Sequence, residues 1–333
     1  KRGSAVMYRV MTLLAGMVLA VMASAANAQT NWDQSKMVGP DKCGECHKSS
    51  VEVWKGTHHY STFTDMPRSK EARNIANAMG IKRIKADSLC LDCHFTVVNN
   101  EPVAGISCES CHSPGKDWMK LHSSYSGKKK ETESKAEAAG RWAKSVRAGM
   151  IRPANTYAIA KNCYNCHVVP QEQLVNKGGH PAGSPFELVS WSQGEVRHNV
   201  WWNNGSGNPV ADQNRKRMLF IIGQAVELET ALRAVGEATV KDKYAVAMAQ
   251  RAQNAAKRFA ALAGKVSTPE TTAIVAALGG VQLSLNQKAS LNAAADKVAR
   301  QAKAISAKYD GSTFGAIDPY IPGADKYKGK PAR

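Results

Sequence analysis

The chain has 333 residues and carries 45 Lys+Arg against 27 Asp+Glu, a net charge of +18. That length allows two domains. So basic a surface favours an acidic protein or an anionic membrane face as partner, and for an exported chain it leaves nucleic acid a poor third.

In chain order, Met7-Tyr8-Arg9 opens a positive segment, and an apolar run from Val10 to Met22 follows. Ala26-Asn27-Ala28 then reads as a small-residue cleavage site. Residues 1–28 are therefore expected to be a cleaved signal peptide, with the mature chain beginning near Gln29 in the periplasm of a Gram-negative bacterium or beyond. The apolar run is short for a membrane span of about 20 residues. Its removal takes away Lys1, Arg2 and Arg9 and leaves +15.

Residues 29–209 hold all eight cysteines, and these fall into four copies of one motif. The motifs are Cys43-Gly44-Glu45-Cys46-His47, Cys90-Leu91-Asp92-Cys93-His94, Cys108-Glu109-Ser110-Cys111-His112 and Cys163-Tyr164-Asn165-Cys166-His167. C-x-x-C-H is the attachment signature of a c-type haem: two thiols add to the vinyl groups, and the histidine supplies one axial nitrogen. A redox dithiol or half a zinc site does not require histidine in the fifth place every time. Four covalent haems are expected, with Cys43, Cys46, Cys90, Cys93, Cys108, Cys111, Cys163 and Cys166 as attachment points. His47, His94, His112 and His167 would be the first axial ligands.

From Cys43 to His167 there are 125 residues, about 31 per haem, too few to enclose each macrocycle in its own apolar core. Close packing of the haems is expected, the more so because Cys90 and Cys108 are only 18 residues apart. Five histidines remain for the distal positions: His58, His59, His122, His180 and His198. All lie before residue 199. Met66, Met119, Met218 and Met248 compete as soft ligands but suit packing better.

Between the motifs, one short helix is expected over Ser50–Phe63 and another around Arg73–Met79, closed by Gly80. Gly127–Gly140, with its three consecutive lysines, reads as a solvated linker or exposed helix. Val168–Asn204 is rich in Gly, Pro and Trp and reads as loop. Residues 210–310 lack Cys and His and repeat apolar residues at three-four spacing, which predicts a haem-free antiparallel helical bundle. Asp212 should cap its first helix, and Thr268-Pro269 its third. Residues 311–333 read as a loose basic tail containing Pro and Gly. The fold class is mainly α.

Two stretches resemble the tetrahaem cytochrome c-554 family: Trp54-Lys55-Gly56-Thr57-His58-His59, and Cys108 to Gly115 with His122 ten residues beyond His112. The best-known member of that family accepts electrons from hydroxylamine oxidoreductase in ammonia-oxidising bacteria. The resemblance implies that His59 ligates the third haem and His122 the first, with His58 spare. Either His180 or His198 would serve the fourth. In that family the second haem can be five-coordinate, and this chain has one late histidine more than such an arrangement needs. Two functions follow. With His180 and His198 both ligating, the protein is an electron carrier between redox partners with acidic docking surfaces. With the second haem open, it is an oxidoreductase for nitric oxide, nitrite or hydroxylamine, assisted by His58, Lys55 or Arg197. The bundle offers a route to a homo-oligomer.

Overall fold

The computed structural model describes residues 32–86 and 88–332; the leader read at residues 1–28 lies outside the described residues. The fold is mainly α: short helices surround the motifs, and long helices begin at residue 213.

Near the first motif, the helix expected over Ser50–Phe63 is two helices, Lys48–Lys55 and His58–Ser61. Gly56 ends the first. The Thr57 hydroxyl then caps the second by accepting from the Tyr60 N–H at 3.2 Å. This break leaves His58 exposed and His59 half-buried. The second and third motifs are joined by a hairpin, Thr96–Val98 paired antiparallel with Glu101–Ala104. Asn99 and Asn100 turn it with φ of 47° and 69°, a conformation that Asn tolerates better than most residues. Just past the hairpin, Gly105 lies against the His59 helix so closely that a Cβ would run into the His59 carbonyl.

Gly127–Gly140 is largely exposed, as expected, and runs into the Lys135–Arg147 helix. Ser134 and Glu137 form a capping box on the Lys135–Arg147 helix. Arg141 on that helix is buried, donates to both Glu133 oxygens at 2.7 and 2.6 Å, and also donates to the His122 carbonyl. Val168–Asn204 is loop interrupted by two five-residue helices, Glu172–Asn176 and Leu188–Ser192.

The bundle helices are Gln213–Glu237, Lys243–Ala263, Pro269–Ala276 and Lys288–Lys308. Asp212 caps the first by accepting from the Arg215 N–H at 2.7 Å, and Thr268 caps the third. The first helix is buried along most of its length, and both long neighbours pack on it. Tyr244, Phe259, Ile221, Leu228 and Leu291 are fully buried, each contributing about 1.5–3 kcal/mol of apolar burial.

The core continues across residue 210. The Thr156–His167 helix, which ends in the fourth motif, packs on the Gln213–Glu237 helix and buries Tyr157, Ala160 and Tyr164 in the same apolar cluster. One polar node reinforces this junction. The buried Glu229 carboxylate accepts from Tyr157 Oη at 2.8 Å, Lys161 Nζ at 2.9 Å and Arg233 Nε at 3.1 Å.

The tail expected to be loose is docked. Phe314 and Ile317 enter the core, Lys328 N–H donates to the Ser190 carbonyl, and the Glu195 N–H donates to the Lys328 carbonyl.

Two outcomes follow from this packing. Glu229→Ala leaves the Lys161 ammonium, itself mostly buried, without its carboxylate, and should cost about 3–5 kcal/mol in chemical denaturation. The second concerns Glu270, which accepts from Lys308 Nζ at 2.5 Å and Tyr309 Oη at 2.9 Å. The Lys308 hydrogen bond holds its carboxyl at about 2, below the usual value of about 4.3. A depressed carboxylate pKa adds stability above the unfolded value and loses it as pH falls through the folded one. Glu270→Gln should therefore be less stable than the wild type at neutral pH, and the gap should close between about pH 4.3 and pH 2.

Candidate haem-ligand sites

Each motif ends on a short helix or turn that aims its histidine inward. Cys43 lies in the Pro40–Gly44 helix, and His47 precedes the Lys48–Lys55 helix. His94 closes the Leu91–His94 helix, His112 the Cys108–His112 helix, and His167 the Thr156–His167 helix.

Opposite each of these four rings stands a ring from outside the motifs. His47 faces His122 with centroids 6.2 Å apart, and His94 faces His180 at 6.3 Å. His112 faces His198 at 6.2 Å, and His167 faces His59 at 6.3 Å. Two imidazoles bound on opposite sides of one metal ion, at about 2.0–2.1 Å per bond, hold their centres about 6 Å apart. The four spacings therefore fit a metal between each pair. Among the described residues there is no cluster of three or more His, Cys, Asp or Glu side chains that could hold a metal ion. A centre with only two protein ligands is what a porphyrin, which supplies its own four nitrogens, requires.

Hydrogen bonds orient the rings. The Nδ1–H groups of His112, His122, His180 and His198 donate to the carbonyls of Ile151, Met119, Pro181 and Val196, at 2.5–2.9 Å. His167 Nδ1 shares a hydrogen bond with Ser184 Oγ at 2.8 Å. The four rings that donate to carbonyls keep Nε2 as the free lone pair. Burial pushes His94, His112 and His167 down to about 4 and also lowers His47, His59 and His122. Neutral imidazole is the ligating form.

The motifs themselves are arranged in an order different from the sequence. The Cys43 thiol lies beside that of Cys108, and the Cys93 thiol beside that of Cys166. Asn162 Nδ2 donates to the Cys111 carbonyl at 2.9 Å, joining the third and fourth motifs. In space the motifs therefore follow one another as two, four, three, one.

His122 lies opposite the first motif, as the resemblance implies. His59 does not lie opposite the third: it faces His167 of the fourth, and the third motif is faced by His198. His180 lies opposite the second motif and not the fourth. His58, the spare residue, points away and donates from Nδ1 to the buried Glu195 carboxylate at 2.7 Å. Lys55 pairs with Glu52, and Arg197 donates to the Gln193 carbonyl. Met66, Met218 and Met248 pack in apolar clusters.

Glu109, inside the third motif, was not singled out from the sequence. It is 1% exposed and accepts from the backbone N–H groups of Val38, Gly39 and Gly115 at 2.6–3.1 Å. It clips the approach to the first motif onto the third. Its one visible signal is Ser113-Pro114-Gly115, whose turn places an amide beside it.

Residues 42–113 match the family model described as "Cytochrome c554 and c-prime". The chain is similar to cytochrome c-554 of Nitrosomonas europaea, with 25% identity over 183 residues covering 51% of this chain and 74% of the relative. No solved structure matches the chain.

Removing the Glu109 clip tests its weight. Glu109→Ala leaves three backbone donors unsatisfied beside two motifs and should cost about 2–4 kcal/mol, read from denaturant midpoints. Glu109→Gln keeps one acceptor oxygen and should lose less.

Proposed function

We propose that this chain, whose residues 42–113 match the cytochrome c-554 family model, is a multihaem c-type cytochrome of electron transfer, a carrier of four covalently bound haems in which two histidines clamp every iron. The supporting observation is the set of four ring pairs at 6.2–6.3 Å, each joining one motif histidine to one histidine outside the motifs. His47 and His122 would hold the first iron, His94 and His180 the second, His112 and His198 the third, and His167 and His59 the fourth.

The thiols of each motif would anchor the same haem through thioether bonds. When bound, the haem supplies one-electron chemistry. Two imidazole ligands change little between oxidation states and leave no coordination position for a substrate. His180 opposite His94 weighs against nitrogen-compound chemistry at an open second haem. His58, turned onto Glu195, is not aimed at that site.

We place the protein in the periplasm or outside the cell on the leader read at residues 1–28. Among the described residues no helix is long and apolar enough to cross a membrane.

Electron paramagnetic resonance of the oxidised holoprotein should show low-spin ferric signals only, and carbon monoxide should leave the Soret band of the reduced protein unchanged. A high-spin signal or a carbon monoxide shift in the wild type would overturn the six-coordinate reading. His180→Ala should convert one haem of four to a high-spin, carbon monoxide-binding form. Binding to a different fraction of the haem would refute the pairing with His94.

A further inference from the structure

We propose that the loop bearing Trp201 and Trp202 is the docking surface for an acidic one-electron carrier protein, which it seats against the first motif. This rests on the four-haem reading and deepens it by naming the port.

Three observations meet at this loop. Trp202 is 84% exposed, more than any other large hydrophobic residue among those described. Its neighbour Trp201 lies against the His47 ring, with centroids 4.3 Å apart. The loop is therefore packed onto the first motif, while Trp202 projects into solvent. A rigid, flat apolar side chain held outward by a packed neighbour has the character of an interface hot spot.

The charge around it is positive. Lys130 Nζ lies 5.6 Å from the Trp201 ring centre, and Lys128 and Lys129 precede it, all three exposed. Gly205 of the same loop sits beside Ser49, next to the exposed Lys48. Nearby acids are partly committed: Glu137 pairs with Lys128 and Glu45 with Lys42. Glu131 is the one acid within the lysine run. An aromatic centre with a cationic rim fits a partner that presents carboxylates around an apolar spot, and the charges speed and orient the encounter.

Position supports the same assignment. In the spatial order two, four, three, one, the first motif is an end of the series. A partner docked there stands beside a terminal haem, where a single electron passes between the two proteins without crossing the bundle.

The test uses the four-haem holoprotein and oxidised plant-type [2Fe–2S] ferredoxin as an acidic probe, with binding read by calorimetry at low salt. Trp202→Ala and Lys130→Glu should each weaken binding at least about tenfold, and raising the salt should erode wild-type binding. Reduction by dithionite, haem content and low-spin spectra should be unchanged in both variants. These controls test the haem reading separately, because they hold whether or not docking fails. Ferredoxin binding that is absent in the wild type, or equally tight in both variants, would overturn the proposal. So would Trp202-dependent binding to vesicles of phosphatidylcholine and phosphatidylglycerol, since Trp and Lys together also suit a membrane interface.

Discussion

The opposition of two imidazoles across a gap of about 6 Å is the constraint on which the motif region depends. It must be met four times, and every pair joins distant parts of the chain: residues 47 and 122, 94 and 180, 112 and 198, 59 and 167. Each pairing closes a loop of dozens of residues. Loop closure has an entropic cost that a few side-chain contacts do not offset. The apolar cluster of buried residues around the second motif is small: Ala76, Ile84, Leu91, Phe95 and Val97. On the four-haem reading, the macrocycles supply the missing core, and metal–ligand bonds tie the loops. Ligand binding and folding are then one process.

The fourth motif is supported differently. Its helix belongs to the large apolar cluster that runs into the bundle, and its histidine is braced from behind. Phe186 stacks on the His167 ring at 4.3 Å, and Ser184 bonds its Nδ1. Arg251 of the Lys243–Ala263 helix donates to the Ser184 carbonyl at 3.0 Å. On the four-haem reading, the bundle, which has no Cys or His, thereby helps to orient one axial histidine. This gives residues 210–310 a structural role that needs no assembly into oligomers.

The motifs and the long helices were legible because each is written in local spacing: C-x-x-C-H within five residues, and three-four periodicity within twenty. The ligand partners were not. His59 and His198 stood out as ligand candidates by where they fall, but which motif histidine each one faces depends on which motifs lie side by side, and no spacing records that. The resemblance placed His59 with the third motif, whereas the chain folds it against the fourth. The hairpin at Asn99-Asn100 was not expected from the sequence, although two consecutive asparagines suit its positive-φ turn. The docking of the tail was harder to see, because a few apolar residues, Phe314 and Ile317 with Ile321 and Tyr327, carry it among Gly, Pro and Lys. Buried Glu109, Glu195 and Glu229 look like surface charges in a sequence, since what keeps them inside is a set of donors from distant segments.

The spatial order of the motifs has a consequence for access. The fourth motif is interior to the series, and the bundle backs it through Phe186 and Ser184. At the third, Glu109 holds the Val38-Gly39 segment, while the opposing His198 is exposed. The first-motif end carries an exposed tryptophan with lysines. The second-motif end carries the half-buried His180 and a cationic flank in which Lys85 Nζ caps the Phe63 ring at 3.3 Å. Two ends with different chemistry suit a carrier that receives from one protein and delivers to another, because each partner can recognise its own surface. A substrate-reducing enzyme would instead need an opening at an iron, and in this arrangement every motif histidine is already opposed by a second ring.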